Sequence, residues 1–485
     1  MDAATPEPIR ATTLTPSDIR SIFFGIMLAM LLSALDQTIV ATAMPTIGRE
    51  LGDVEHLPWV VTSYLLASTA VTPLYGRFSD MHGRRVTLLI GITIFVVGSI
   101  ACALAPNMLA LILARGVQGL GGGGLIALAQ TIVADMVAPR ERGRYQVYFG
   151  AVFATASLAG PVLGGFFAQS LHWSVIFWIN LPLGLLAFLL TNQRLKKLPL
   201  VERRHRLDVL GAMLLIGATT TFMLVLSWGG THYAWRSAEI LVLAAFSLVL
   251  WGAFLLRMKV AAEPLIPLQV FKDRVIASAI LASAWAMATY IGLAIFVPIY
   301  FETVLGLSAS QSGLSLIPLM IGIVIGSTVS GRLMARVEHY KRAPVAGVSL
   351  AILSIGTIAL VSTLPFPLLL GLLFCASLGL GTVMPVSTVA LQNAAPPGHL
   401  GTVTATMNFS RQLFGAVIVA VYGAIVLSGH GAGSGLTLET LAGGMAPEYV
   451  AGFRYVFVAA TLGLAASLAF FLMMEERPLR DRPQD

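Results

Sequence analysis

The chain is poor in charge and nearly free of cysteine. Of its 485 residues only 11% are charged and 57% are hydrophobic; soluble domains run at about 25% charged. That balance excludes a water-facing surface of ordinary size. The two cysteines, Cys102 and Cys375, lie in apolar runs and read as small packing residues, which excludes a disulfide framework. The eight histidines fall in predicted loops or span ends without ligand spacing, so no metal site is expected. There is no G-x-x-x-x-G-K-[ST] stretch and no soluble domain to hold one, so neither an ATP site nor another cofactor is expected. A membrane-embedded enzyme would need His and acids clustered at one membrane face, and no such cluster can be assembled.

Long apolar runs are what the chain has instead. Stretches of about 20 residues, enough to cross a bilayer, recur along its length. They predict an all-α integral membrane protein with fourteen spans, at 20–43, 57–76, 86–105, 108–134, 145–168, 173–193, 208–228, 238–257, 275–300, 312–335, 343–363, 367–391, 403–428 and 453–474. The first run outlasts the core of about 7–15 residues typical of a cleavable signal and reads as a span. Trp59, Trp173, Trp228 and Trp235 lie near span ends, as interfacial anchors do.

With both termini and every second loop assigned to one side, that side collects 25 of the 30 Lys and Arg residues. The other side has Arg49, Arg236 and Arg454. The positive-inside rule then makes both termini cytoplasmic. The net charge of +7 is thereby explained by topology and anionic-lipid contact, with no nucleic acid partner.

The halves look related. GRFSDMHGRR (76–85) ends the second span and GRLMARVEHYKR (331–342) ends the tenth. Repeats of this kind are a transporter feature. The expected organisation is a cytoplasmic N-terminus (1–20), an N-terminal six-helix bundle (21–193), a linker with two extra spans (194–274), a C-terminal six-helix bundle (275–474) and a cytoplasmic tail (475–485).

Several residues stand out against the apolar background. Asp36 is about sixteen residues into span 1, ~24 Å along a helix and past the midpoint. Its helix face carries Ala29, Ser33, Val40 and Ala43, small enough to pack on protein or line a cavity. An acid there must be neutral or compensated; it is either a proton site or a structural partner of a neighbouring helix. Arg115, inside span 4, faces a cost of roughly 2.5–3.5 kcal/mol at mid-membrane. It should meet Gln118, Gln130 or a carboxylate, as a structural hub or beside a proton path. Asp80 and Arg84, four apart, can pair on a helical turn, with Asp135 on the same side. GLGGGG (119–124) fits G-x-G-x-x-G, but its flanks are helical and apolar, so close helix packing is expected and not a dinucleotide loop. Gly160 and Gly164 read as packing residues too, with a kink at Pro161.

LDQTIVATAMP (35–45), GRFSDMHGRR (76–85), RGVQGLGGGG (115–124), GPVLGG (160–165), FWINLPLG (177–184) and ALQNAAPPGHLGTVTATMNFSRQLFG (390–415) occur in this order on the predicted spans. Together they resemble the fourteen-span drug:proton antiporters of the major facilitator superfamily, over nearly the whole chain. The resemblance implies two six-helix bundles around a central cavity, plus two extra helices. It implies export of small lipophilic or cationic compounds against proton entry, by alternating access, from a functional monomer in the cytoplasmic (inner) membrane. A dedicated exporter of a siderophore, antibiotic or metabolite on the same scaffold is the alternative.

The resemblance also assigns roles. Asp36 takes the coupling proton, with Arg115 beside it. Glu302, at the outer end of span 9, is read from its position alone, since the family more often has Gln there: it is a second proton or cation site or an interfacial carboxylate. Gly76, Asp80, Gly83, Arg84, Arg85 and Asp135 latch the outward-facing state. Gly160, Pro161, Gly164 and Gly165 form the motif associated with exchangers. Gln37, Trp285, Tyr290, Asn408 and Arg411 are pocket candidates for flat lipophilic cations, although Arg411, near the start of span 13, can also be read as snorkelling to the cytoplasmic interface.

Overall fold

Apolar helices in a bilayer must satisfy their backbone internally, and helices make up most of the described residues of this chain. The structure, a computed structural model, describes residues 16–53, 56–197, 207–230, 232–361, 364–396, 398–427 and 447–480. The N-terminal half contains α1 (Pro16–Leu51), α2 (Trp59–His82), α3 (Arg84–Ala103), α4 (Met108–Gly122), α5 (Leu125–Met136), α6 (Pro139–Ser170), α7 (Val175–Trp178) and α8 (Asn180–Arg194). A hairpin of α9 (Val209–Trp228) and α10 (Ala238–Val260) follows. The C-terminal half contains α11 (Arg274–Thr303), α12 (Ala309–Leu314), α13 (Ile317–Met334), α14 (Arg342–Leu360), α15 (Phe366–Gly381), α16 (Val383–Ala394), α17 (Leu400–Leu427) and α18 (Pro447–Met473).

Thirteen helical segments among the described residues are long and apolar enough to cross a membrane. α2, with 24 residues, has the length, but its Ser, Thr, Tyr and Arg side chains lower its hydropathy. The predicted fourth, sixth, tenth and twelfth spans are each two helices. α4 and α5 meet at Gly123 and Gly124, and α15 and α16 meet at Thr382. Most of the basic run at 194–208 and of the outer loop at 429–452 lies outside the described residues.

The halves repeat one another in packing. α1 packs on α6 and α8, as α11 packs on α17 and α18. α4 lies against α2 and α3, as α15 lies against α13 and α14. The largest contacts between the halves are α2 with α17 and α6 with α13, with smaller ones of α5 with α17 and α6 with α16. The hairpin lies on the first of these, where α9 touches both α2 and α17. α10 buries only Ile240, Ser247, Phe254 and Met258, one stripe toward α9, and exposes Leu241, Val242, Leu248 and Val249. A helix apolar all round with one buried stripe suits a bilayer on its other side.

The glycines of 119–124 are where helices touch. A Cβ at Gly119 or Gly123 would strike the α2 backbone at Tyr64 or Ser68, and one at Gly121 the α3 backbone at Phe95. Gly160 and Gly164 meet Thr38, Thr42 and Ile39 of α1 in the same way, whereas a Cβ at Gly165 would meet nothing. The motif therefore divides: two of its glycines set the α1–α6 crossing and the third faces away. Gly83 joins α2 directly to α3 at φ 85° and ψ 155°, a region open essentially to glycine alone.

Candidate functional site

The charge inside α1 is matched inside α4. Asp36 is 0% and Arg115 1% exposed. Arg115 Nη1 donates to Asp36 Oδ2 at 2.6 Å. Gln118 Nε2 and Asn180 Nδ2 donate to Asp36 Oδ1 at 2.8 and 3.1 Å. Both amides also reach Ser99 Oγ, at 3.2 and 2.9 Å. Arg115 in turn donates from Nη1 to Gln118 Oε1 (2.6 Å) and from Nε to the Val60 carbonyl (3.0 Å). Its guanidinium carbon lies 4.3 Å from the Tyr64 ring centroid, and the Tyr64 hydroxyl meets Ser33 Oγ at 3.1 Å.

Four helices build this cluster, α1, α2, α4 and α8, with Ser99 from α3 behind it. Asp36 accepts three hydrogen bonds, as expected of an ionised carboxylate with its charge compensated. Of the partners foreseen for Arg115, Gln118 and a carboxylate are present. Gln130 instead bonds Asn408 (2.8 Å) across the halves. Asn180 lies within FWINLPLG, yet nothing in the local pattern distinguished it from a helix-start residue. The small face of α1 is buried as expected, with Ala29, Ser33, Val40 and Ala43 at 0–1% exposure.

A second cluster sits where α2 meets α3 and the start of α17. Arg84 donates from Nη1 to Asp80 Oδ1 (2.6 Å) and from Nε to Asp135 Oδ2 (2.7 Å). The Asp80 carboxylate also accepts from Gly401 N (2.9 Å), Thr402 N (2.7 Å) and Thr402 Oγ1 (2.7 Å). Asp80 thus acts as an N-cap for α17 supplied by the other half of the chain, with its negative charge at the positive end of that helix. Gly76 lies against Gly401 and Ala405, and Gly143 of α6 against Gly331 of α13, so the two largest contacts between the halves close on glycine. Arg85 turns away and donates to Asn192 Oδ1 on α8 (2.5 Å). Gly401 and Thr402 were missed in the sequence, since an N-cap supplied from about 320 residues away leaves no local signature.

The five pocket candidates do not form one cluster. Gln37 is exposed on α1. Trp285 packs edge-on against Phe414 at 5.5 Å, and Tyr290 packs into the apolar core of the C-terminal half. Asn408 bonds Gln130. Arg411 does not reach the cytoplasmic interface as the snorkelling reading had it. It is 3% exposed, and its Nη2 donates to Ser387 Oγ (3.1 Å) and Thr388 Oγ1 (3.2 Å) of α16. Facing α16, its side chain points into the bundle. Glu302 is half-buried near the outer end of α11, away from Asp36 and Arg115.

Known proteins resemble this arrangement along most of the chain. MdtP, a multidrug transporter protein of Bacillus subtilis (strain 168), is 35% identical over 410 residues, 83% of this chain and 74% of its own. Multidrug resistance protein 3 of the same organism is 34% identical over 417 residues, 85% of this chain and 81% of its own. The outward-facing crystal structure of a bacterial homologue of the iron transporter ferroportin superposes with a TM-score of 0.66 at 13% identity, over 95% of this chain and all of that one. The model of the Major Facilitator Superfamily matches residues 26–420. The chain belongs to the major facilitator superfamily, as a membrane transporter with that fold's two six-helix bundles and two extra helices.

Proposed function

We propose that this transporter exports small lipophilic or cationic compounds in exchange for protons, by alternating access, as a monomer in the cytoplasmic membrane with both termini inside. α2 is taken as the fourteenth span, and the bundles as residues 21–193 and 275–474, joined by the segment 194–274 and flanked by 1–20 and 475–485. The multidrug transporters among its relatives support drug export. The observation that carries the coupling is the Asp36–Arg115 pair, fully buried at a depth where a lone charge is costly.

The chemistry follows from the pair. With Asp36 ionised, Arg115 is compensated and the two helices are tied. A proton on Asp36 cancels one charge and leaves Arg115 to find another acceptor, so protonation and helix packing are linked. The cluster of Asp80, Arg84 and Asp135 on the N-terminus of α17 closes the cytoplasmic side, and its release opens that side to substrate. One elementary charge crossing 100 mV supplies about 2.3 kcal/mol, enough for one proton to drive substantial accumulation.

Ethidium efflux and internal pH, followed together in proteoliposomes under an imposed pH gradient, test this. Wild type should move ethidium out as protons enter, and Asp36→Asn should lose both. Equal transport by the variant would remove Asp36 from the coupling step and make Glu302 the next candidate. No ethidium movement in wild type would point to a dedicated substrate.

A further inference from the structure

Arg411, like Arg115, is a cation buried within a span, and it is placed differently. It lies eleven residues past Leu400, about 16 Å along α17. Its Nη2 meets two neutral hydroxyls, and Ser387 commits its own proton to the Val383 carbonyl at 2.8 Å. The Nε and Nη1 atoms are buried and have no hydrogen-bond partner among the described residues.

Acids are also missing at this depth. Between residues 275 and 428 the chain has only Glu302 and Glu338. The first is near the outer end of α11 and the second lies in the turn between α13 and α14. The helices packed on α17 from elsewhere are α2, α5, α9, α11, α16 and α18. Asp80 and Asp135 stand at their cytoplasmic ends and are held by Arg84. Asp208 precedes α9 and pairs with Arg257, and Asp273 precedes α11 and pairs with Arg477. Glu448 is at the outer start of α18.

A guanidinium has five N–H donors and keeps its charge. Buried donors without acceptors are rare enough in folded proteins to require a reason. The residues facing Arg411 lie one to two turns past Thr382, where α15 gives way to α16 with helical dihedrals kept. We infer that Arg411 is an anion site of the C-terminal half, at which Nε and Nη1 receive one compact monovalent anion. That anion is a chloride ion or the carboxylate of a transported solute. Only the second source rests on the export reading. Such a site gives the C-terminal half a position that attracts negative charge, so zwitterionic solutes are accepted and simple cations must keep away from α17 at this level.

The test is the melting midpoint of the full-length protein in detergent, with chloride or benzoate titrated against a bulkier sulfonate at constant ionic strength. Wild type should gain a saturable rise of about 2 °C or more, and Arg411→Gln should lose it. A rise with chloride alone identifies the inorganic source, and a rise with benzoate alone the carboxylate source. A rise with both means that the site takes either. No rise in wild type, or an equal rise in Arg411→Gln, overturns the inference. If Arg411→Gln does not fold, Arg411→Lys replaces it. Lysine keeps the charge but loses the planar fork, so half-saturation should move to higher anion concentration; an unchanged titration again overturns the site. Melting requires no transport, so its failure is distinct from a failure of ethidium efflux.

Discussion

Asp36 and Arg115 are each expensive alone and tolerable together. Breaking a buried pair by removing one partner costs about 3–5 kcal/mol, much of it from the charge left behind. Asp36→Ala and Arg115→Ala should each lower the melting midpoint sharply. The combined Asp36→Ala and Arg115→Met variant should recover much of the loss, because it leaves no lone charge. Additive losses in the double variant would mean that the two side chains are stabilised separately. Each residue was visible in the sequence as a charge inside an apolar run. Their pairing was not, because they are 79 residues apart, and Asn180 is 144 from Asp36. Separations of that size are set by the order in which helices pack, which local patterns do not carry. Arg411 shows the opposite limit. Its distance from the start of the span suggested an interface, but the direction of its side chain decided its environment.

Helix ends organise the cytoplasmic side. Asp80 satisfies two backbone N–H groups of α17 and one hydroxyl while paired with Arg84. Hydrogen bonds to a charged group contribute about 1.5–3 kcal/mol each. Asp80→Asn should therefore shift the equilibrium away from the closed form by about tenfold or more, without blocking membrane insertion. A cysteine at Ala405, buried against Gly76 in the closed form, reads this out once Cys102 and Cys375 are replaced. Its labelling from the cytoplasmic side should accelerate in the Asp80→Asn background, while ethidium efflux falls. Unchanged labelling would detach Asp80 from the closing of this side. The sequence made the Asp80–Arg84 spacing and the glycine packing of span 4 legible, since both are local. The interruptions in the fourth and twelfth spans were hidden, because a local break in the helical hydrogen bonding leaves hydropathy unaltered.

For the whole molecule, the repeated packing means that the halves meet chiefly along two lines, α2 with α17 and α6 with α13. Both close on glycine. Gly331→Val places a branched side chain against the Gly143 backbone and should hold the cytoplasmic side apart. The Ala405 cysteine should then label faster and efflux should fall, while the quantity of protein in the membrane stays near wild type. Labelling at the wild-type rate would show that this contact yields without opening the molecule. The two lines differ in one respect. The α9–α10 hairpin lies along the first and not the second, and α10 turns Leu241, Val242, Leu248 and Val249 outward. A solute dissolved in the bilayer therefore meets the hairpin on one flank of the molecule and the α6–α13 seam itself on the other, so the two flanks differ within the plane of the membrane.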